Sequence, residues 1–385
     1  MKKGIFQEFE GYSKIVEEIE ASRRYGIDYS VDKDSPEQYI NLLHPPRLGL
    51  RVSDIIQETS SAKTLRLVST NQYLPPFQAG QYIGLFLEIG KIRTTRPYSI
   101  SSAPNQTGYY DITVRRVEGG LVSNYLLDDV ERGHILQSSG PAGNFYFNPL
   151  FHEKTMVCLA GGSGITPFMS MIREVVERGL DRNIYLFYGN KDLDDVIFHE
   201  TLKAISERSE NIHYLPVIEN PDGGYKGHSG LITGSLIRET LDHLEDKTFY
   251  LCGPQEMYGF CIPELEKLGI PKRKIRKEAY GPPARISDYP GWPQEIKAED
   301  LFTIKVDGDK TLKGSAGEPL MVTLEQAGIV VPSLCRSGEC SMCRVKILSG
   351  KVFQPPGALV RKSDNQFGYV HSCVSYPLED LEVLI

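Results

Sequence analysis

The 385-residue chain has no uninterrupted apolar run of the roughly eighteen residues that would mark a membrane-spanning helix. Its opening residues, Met1-Lys2-Lys3-Gly4 and then only Ile5 and Phe6, give way to polar and acidic side chains, so the long apolar stretch of a secretory signal is missing too. A cytoplasmic protein with no membrane insertion is expected. A basic surplus is also missing: 43 lysines and arginines stand against 50 aspartates and glutamates, a formal net charge of -7. Nucleic-acid phosphates would need a concentrated basic surface, so nucleic acid is excluded as the expected partner. There is no internal repeat. Cysteines number seven, an odd count that fits a reducing compartment with free thiols better than a disulfide framework. The length exceeds one ordinary core and predicts two or three domains.

What the chain does have is a cluster of cysteines near its C-terminus. Cys335, Cys340 and Cys343 stand in the spacing C-x4-C-x2-C, and Cys373 follows about thirty residues later. This is the pattern of plant-type [2Fe–2S] ligation, and soft thiolates suit iron–sulfur clusters. Between the first two ligands lies Arg336-Ser337-Gly338-Glu339, where Gly338 can take positive φ, and small Ser341 follows Cys340, so backbone amides can approach the sulfurs. The alternative is structural zinc. Zinc usually takes its cysteines as two short-spaced pairs, and only Cys340 and Cys343 form one.

Along the chain the periodicity changes several times. From Ile5 to about Arg24, Phe6, Phe9, Ile15, Val16 and Ile19 recur at helical spacing, and Ser35-Pro36-Glu37-Gln38 reads as a capping box, so residues 1–47 are expected to form a helical extension. Its apolar stripe is expected to pack against a neighbouring domain. Short alternating runs such as Thr64-Leu65-Arg66-Leu67-Val68 and Asp111-Ile112-Thr113-Val114 then predict an antiparallel barrel over residues 48–150. Over residues 151–281, apolar runs such as Met156-Val157-Cys158-Leu159-Ala160 and Phe249-Tyr250-Leu251 alternate with helical stretches, Pro167 to Glu177 and Gln255 to Leu268 among them, which predicts parallel βαβ units. Proline-rich residues 282–298 read as a semi-rigid linker, and residues 299–385 form the last domain.

Gly161-Gly162-Ser163-Gly164-Ile165-Thr166-Pro167 follows a buried-looking strand and opens a helix. Glycines let a backbone approach a pyrophosphate, and the helix start at Thr166 and Pro167 offers free N–H groups and the positive end of a dipole. Earlier come Arg96-Pro97-Tyr98-Ser99-Ile100 on a barrel strand, Glu118-Gly119-Gly120-Leu121-Val122-Ser123, and Gly140-Pro141-Ala142-Gly143-Asn144-Phe145. Later come Cys252-Gly253-Pro254 with Met257, and Glu278-Ala279-Tyr280. Taken in order, these motifs resemble the ferredoxin–NADP reductase superfamily, in particular the phthalate dioxygenase reductase and phenylacetyl-CoA epoxidase reductase type. The resemblance covers about residues 48 to 385.

That resemblance implies a multidomain fold: an antiparallel β-barrel for flavin, an α/β parallel-sheet nucleotide domain, and an α+β β-grasp ferredoxin domain. It implies that Arg96, beside Pro97, pairs with a flavin phosphate, that Tyr98 stacks on the isoalloxazine, and that Ser99 hydrogen-bonds near N5. Gly119, Gly120 and Ser123 would serve the phosphate end. Gly161, Gly162, Gly164, Thr166 and Pro167 would hold the nicotinamide nucleotide's pyrophosphate, while Cys252, Gly253 and Pro254 guide the nicotinamide and Glu278 and Tyr280 lie beside the flavin. Cys252 could equally be a small buried hydrophobe, and Tyr280 a linker anchor. Cys158 and Cys261 match no motif and are expected in the core. Tyr225, Gly227 and Gly230 resemble a further family segment of the nucleotide domain.

The implied function is an NAD(P)H-dependent reductase that passes electrons from hydride through flavin to a [2Fe–2S] cluster and on to a redox acceptor protein. FAD is expected rather than FMN, although the phthalate branch uses FMN. The loop Asn190-Lys191-Asp192-Leu193-Asp194-Asp195, with three acids and one lysine, leans to NADH over NADPH. No acid–base residue is required for hydride transfer, so Ser99, Cys252 and Glu278 are candidates for positioning and electrostatics. Serine at 341, where the family often has glycine, should still allow ligation. The alternatives are the electron-transfer subunit of dihydroorotate dehydrogenase, whose last cysteine gap is shorter, and a redox sensor with incidental turnover.

Overall fold

The structure is a computed structural model describing residues 11–26, 35–43, 45–71, 73–283 and 285–385. It divides into two compact units, Met1–Pro46 and Arg47–Ile385. In the first, helix α1 spans Tyr12–Arg24 and α2 spans Ser35–Leu43, so the second helix starts at the serine of the expected capping box. Phe6 and Phe9 of the expected first helix lie outside the described residues. Helix α1 carries Ile15, Val16 and Ile19 at the helical spacing expected. No helix among the described residues is long and apolar enough to cross a membrane.

The second unit contains three large sheets. Strands β1 (Leu48–Gln57), β2 (Ala62–Ser69), β3 (Tyr82–Ile89), β4 (Ile92–Ser99), β5 (Tyr110–Arg115) and β6 (Ile135–Ser138) form an antiparallel sheet in the order β4-β3-β6-β1-β2-β5. A bridge between Ile100 and Ile112 joins the end of β4 to β5 and closes one end of the barrel. Alternate residues such as Leu48, Leu50 and Val52 point into a core shared with Ile83, Leu85 and Ile112. A short helix, α3 (Leu121–Asn124), precedes β6.

Strands β7 (Thr155–Gly161), β8 (Asn183–Asn190), β9 (Ile212–Ile218), β10 (His228–Ser229), β11 (Lys247–Cys252) and β12 (Ile275–Glu278) form a parallel sheet ordered β10-β9-β8-β7-β11-β12. Because the period of a strand is two, Met156, Cys158 and Ala160 of β7 enter one core with helices α4 (Thr166–Arg178) and α5 (His199–Arg208). Val157 and Leu159 enter the opposite core with α6 (Gly234–Thr240) and α7 (Gln255–Lys267). Burial on both faces explains the continuous apolar runs. Cys158 and Cys261 are buried in these cores as expected. Strand order reverses between β7 and β11, and the carboxyl ends flanking such a switch point form the ligand crevice of open α/β sheets.

The third sheet takes β13 (Leu301–Val306), β14 (Lys310–Ser315), β15 (Arg344–Ser349), β17 (Tyr369–His371) and β19 (Leu381–Leu384) in the order β14-β13-β19-β15-β17. Helix α8 (Leu320–Gln326) lays Leu320, Met321 and Leu324 on its core, α9 (Lys362–Gln366) precedes β17, and β16 (Val352–Phe353) pairs separately with β18 (Tyr376–Pro377). Part of the stretch expected as a semi-rigid linker is packed on the ferredoxin domain. Ile286 and Trp292 are buried with Ala316 and Tyr376, and the Trp292 ring meets Phe353 and Tyr376 edge-on at 5.3 and 6.3 Å. Proline content suggested stiffness, but it does not register the apolar area that a single tryptophan brings to a surface.

Candidate functional site

The register β3–β4 places Tyr82 opposite Ser99, Ile83 opposite Tyr98, Gly84 opposite Pro97 and Leu85 opposite Arg96. Ser99 is buried, and its hydroxyl lies 2.5 Å from the Tyr280 hydroxyl, which in turn hydrogen-bonds Cys252. Three residues separated by 153 and 28 positions in sequence (252 − 99 and 280 − 252) thus meet where the barrel faces the end of β11. Burial pushes the Cys252 thiol well above its usual range, so it remains protonated and acts as a small polar packing group, not a nucleophile. The Tyr280 phenol is likewise held protonated, chiefly by burial and then by the neighbouring Cys252 and Glu278.

Glu278 ends β12 directly beside Cys252 in the ladder and is 7% exposed. Burial, with the charges of Glu339 and Cys335 adding to it, pushes its carboxyl up to about 8. Those two neighbours belong to the cysteine loop, so the nucleotide sheet and the ferredoxin loop share one electrostatic environment. Tyr98 packs against the barrel core, and burial raises its phenol well above the ordinary value.

Arg96 is half-buried and donates to Thr94 Oγ1 and, at 2.9 Å, to the Thr95 carbonyl. Burial and the adjacent Arg336 lower its guanidinium to about 10. Gly119 and Gly120 make the turn into α3, and Ser123 Oγ accepts from the Val117 amide at 3.2 Å. The hydroxyl is therefore already used in shaping that turn.

At the switch point, Gly162–Ile165 forms a single tight turn before α4, with Thr166 Oγ1 donating to the Ser163 carbonyl at 2.9 Å and Pro167 in the first helical turn. A Cβ on Gly164 would lie 2.1 Å from the Cys252 carbonyl oxygen, and one on Gly161 would lie 2.8 Å from Pro254. The glycines are needed because the two strand ends, Gly161–Gly164 and Cys252–Pro254, touch through their backbones. Arg115 was not singled out in the sequence, yet its guanidinium covers this turn: a Cβ on Gly162 would come within 2.9 Å of Arg115 Nη1. Only its position at the end of an apolar barrel strand could have marked it.

The acidic loop after β8 is tied in part to the barrel. Asp195 accepts from Arg115, from Thr59 Oγ1 and, at 2.6 Å, from Ser61 Oγ. Burial works against its charge, but these hydrogen bonds and the Arg115 charge hold its carboxyl below the usual range. Asp195 is committed to the barrel, which leaves the exposed Asp192 and Asp194 as the loop's free acids.

The cysteines form two pairs. Cys335 hydrogen-bonds Cys340, and Cys343 Sγ lies 3.3 Å from Cys373 Sγ. Amides of Ser337, Glu339 and Cys340 point at Cys335 Sγ from 3.5, 3.4 and 3.3 Å, and with the Cys340 hydrogen bond they hold the Cys335 thiol well below its usual range. The loop achieves this with left-handed backbone at Arg336, Gly338 and Ser341 (φ 55°, 81° and 59°). His371 Nδ1 donates to the Gly338 carbonyl at 2.8 Å and braces the loop from β17. Among the described residues no three Cys, His, Asp or Glu converge on one ion position. Two thiolates per metal and a nest of amides aimed at sulfur fit a two-iron cluster better than a single tetrahedral zinc.

The three loci lie against one another. A Cβ on Gly84 of β3 would come within 2.5 Å of Leu334 Cδ1, the residue before Cys335. The barrel therefore meets the cysteine loop at the same strand pair that carries Tyr98 and Ser99.

Residues 49–147 match the oxidoreductase FAD-binding domain family, 158–262 the oxidoreductase NAD-binding domain family, and 304–378 the 2Fe-2S iron-sulfur cluster binding domain family. The chain belongs to the flavin-dependent NAD(P)H reductases that carry their own [2Fe–2S] domain. The glycine betaine monooxygenase reductase subunit of Pseudomonas aeruginosa (strain UCBPP-PA14) is 29% identical over 352 residues, covering 87% of this chain and 94% of that protein. The NADH oxidoreductase HCR of Escherichia coli (strain K12) is 29% identical over 335 residues, covering 86% and 96%. In fold, the reductase resembles the solved structure of phthalate dioxygenase reductase with a TM-score of 0.63 at 23% identity, covering 88% of this chain and 97% of that one. The reductase is thus an NAD(P)H oxidoreductase with FAD, nicotinamide nucleotide and [2Fe–2S] as its cofactors, and it passes electrons from hydride through flavin and cluster to a partner protein.

Proposed function

We propose that the reductase serves a monooxygenase or dioxygenase, taking NADH as its donor, and that the contact of Ser99, Tyr280 and Cys252 beneath the cysteine loop is where hydride enters. The relatives named above support this reading, since one is a monooxygenase reductase subunit and another an NADH oxidoreductase. FAD held there would supply a hydride acceptor for the nicotinamide and a one-electron donor for the cluster.

The chain's residues supply placement. Ser99 offers a hydroxyl at the floor of the site, and Cys252 at the end of β11, with Gly253 after it, would guide the nicotinamide. Tyr280 spans both and closes the site to water. Glu278 stays protonated at neutral pH and so adds no negative charge where negative charge arrives with hydride. Gly161, Gly162 and Gly164, with the amides before α4, accommodate the pyrophosphate, and Arg115 adds a cation above them. Arg96 and the Gly119–Gly120 turn serve the flavin phosphates, while Cys335, Cys340, Cys343 and Cys373 hold the irons.

The observation that carries the relay is the direct seat of the cysteine loop on β3 and β4. Its test is Cys340→Ser: NADH-to-dye activity should persist near the wild-type level while reduction of a cytochrome-type one-electron acceptor is lost. Equal loss of both would refute the order flavin, then cluster.

A further inference from the structure

The seam between the barrel and the ferredoxin sheet holds a buried polar cluster in which two residues outside the motifs, Thr94 and Glu325, meet Arg336 of the cysteine loop. Glu325 on α8 is 5% exposed and accepts both terminal nitrogens of Arg336, at 2.5 and 3.1 Å. Arg336, 4% exposed, directly follows Cys335 in left-handed backbone. Thr94 on β4, also buried, donates its hydroxyl to Glu325 Oε1 at 3.0 Å, and Thr94 Oγ1 itself accepts from Arg336 Nη1 at 3.4 Å and from Arg96. One hydroxyl of the barrel is thus bonded to a carboxylate of α8 and to two guanidiniums, one next to a cluster ligand and one on the flavin strand.

Taking an ion pair out of water is costly for each charge and is tolerated only when the remaining lone pairs and protons are met. Arg336 and Glu325 meet each other in fork geometry, but their outer edge faces the barrel, and Thr94 is the group that satisfies it. Leu334 seals the adjacent edge against Gly84, where no side chain fits. A packing role alone would be met by any apolar residue at 94, whereas a hydroxyl bonded to both partners fixes direction as well as contact.

We propose that Thr94, Glu325 and Arg336 form a positioning latch that fixes the cysteine loop against the flavin-carrying strand and so sets the gap an electron crosses between the two cofactors. The step it serves balances with the acceptor protein as electron sink: of the two electrons brought by hydride, each would reduce one ferric ion of the cluster in turn, the first being passed on to the acceptor before the second arrives. The latch residues exchange neither electrons nor protons. This inference rests on the flavin-to-cluster order proposed above.

The test uses the holoenzyme with Thr94→Val, which keeps the shape and removes the hydroxyl, beside Thr94→Ser, which keeps the hydroxyl. NADH is mixed anaerobically, and flavin and cluster bleaching are followed as separate phases; iron and flavin content and the cluster's midpoint potential are measured alongside. The expected result is unchanged flavin bleaching, cofactor content and potential in Thr94→Val with the cluster phase slowed about tenfold, and Thr94→Ser within about twofold of wild type. An unchanged cluster phase in Thr94→Val, equal slowing in Thr94→Ser, or a potential shift large enough to account for the slowing would each overturn the latch. Should Thr94→Val fail to accumulate, hydrogen exchange on the wild-type holoenzyme decides: residues 92–97 and 320–337 must open at one common rate, and separate rates overturn the latch. A wild-type cluster that never bleaches on NADH refutes the underlying relay instead, whatever residue 94 does.

Discussion

Glu278 is buried at the end of a strand with its carboxyl beside two further negative groups, and the consequence is a proton held far into the alkaline side of the ordinary carboxylate range. The native carboxyl titrates near 8 against 4.5 for the free side chain, so between those values the folded state binds a proton that the unfolded chain has released. Stability must therefore fall as pH rises through that window, by on the order of a few kcal/mol at most. Glu278→Gln removes the titration while keeping the shape. Urea midpoints measured from pH 5 to 9 should fall with pH more steeply in wild type than in Glu278→Gln, and parallel curves would show that this carboxyl does not carry the dependence. Ser341 illustrates a different residue-scale cost: at φ 59° it occupies backbone that favours glycine, which gives a physical reason for the glycine often found there in the family.

Among the elements, the turn from β7 into α4 was the most legible from sequence, because its glycines, threonine and proline all answer to local constraints. The helix spans Thr166–Arg178 against an expected Pro167 to Glu177, and α7 spans Gln255–Lys267 against Gln255 to Leu268. The sequence did not reveal which glycine is irreplaceable, since the object it would strike, the Cys252 carbonyl, arrives from a strand almost ninety residues away. Gly164→Ala should push the two strand ends apart, lowering stability by about 1–3 kcal/mol and raising KM for NADH at least about tenfold. Gly259→Ala on α7 is the control. A Cβ there meets nothing within 4 Å, and its helix propensity should stabilise the fold by up to about 1 kcal/mol. Equal KM values in the two variants would show that backbone contact at the switch point is unimportant. The linker segment shows the opposite case: composition carries local stiffness, but the burial of Trp292 depends on Phe353 and Tyr376 far along the chain.

At the scale of the whole molecule, motifs mark the segments proposed to hold each cofactor, whereas the seams between them draw on residues outside those motifs, Thr94, Arg115 and Glu325, and on Asp195 from the loop after β8. Their roles depend on pairings across 80 to 231 positions, and single-chain periodicity carries no record of such contacts. Of these, Asp195 makes contacts to three barrel residues, and its predicted effect is on hydride transfer. It ties the loop after β8 to Thr59 and Ser61 between β1 and β2, and to Arg115 on β5, so it fixes the tilt of the nucleotide sheet over the barrel. The pair is about a quarter exposed on both sides, so solvent screens much of its charge, and its loss should cost only about 1 kcal/mol in stability. The effect on rate should be larger than that number suggests, because Cys252 and Ser99 reach register only if the two sheets hold their angle, and displacement by about 1 Å costs rate steeply. Asp195→Ala should slow NADH-driven flavin bleaching about tenfold while lowering Tm by only a few degrees. If bleaching keeps its wild-type rate while Tm falls, the contact is a stabilising ion pair alone, and the angle between barrel and nucleotide sheet is set elsewhere.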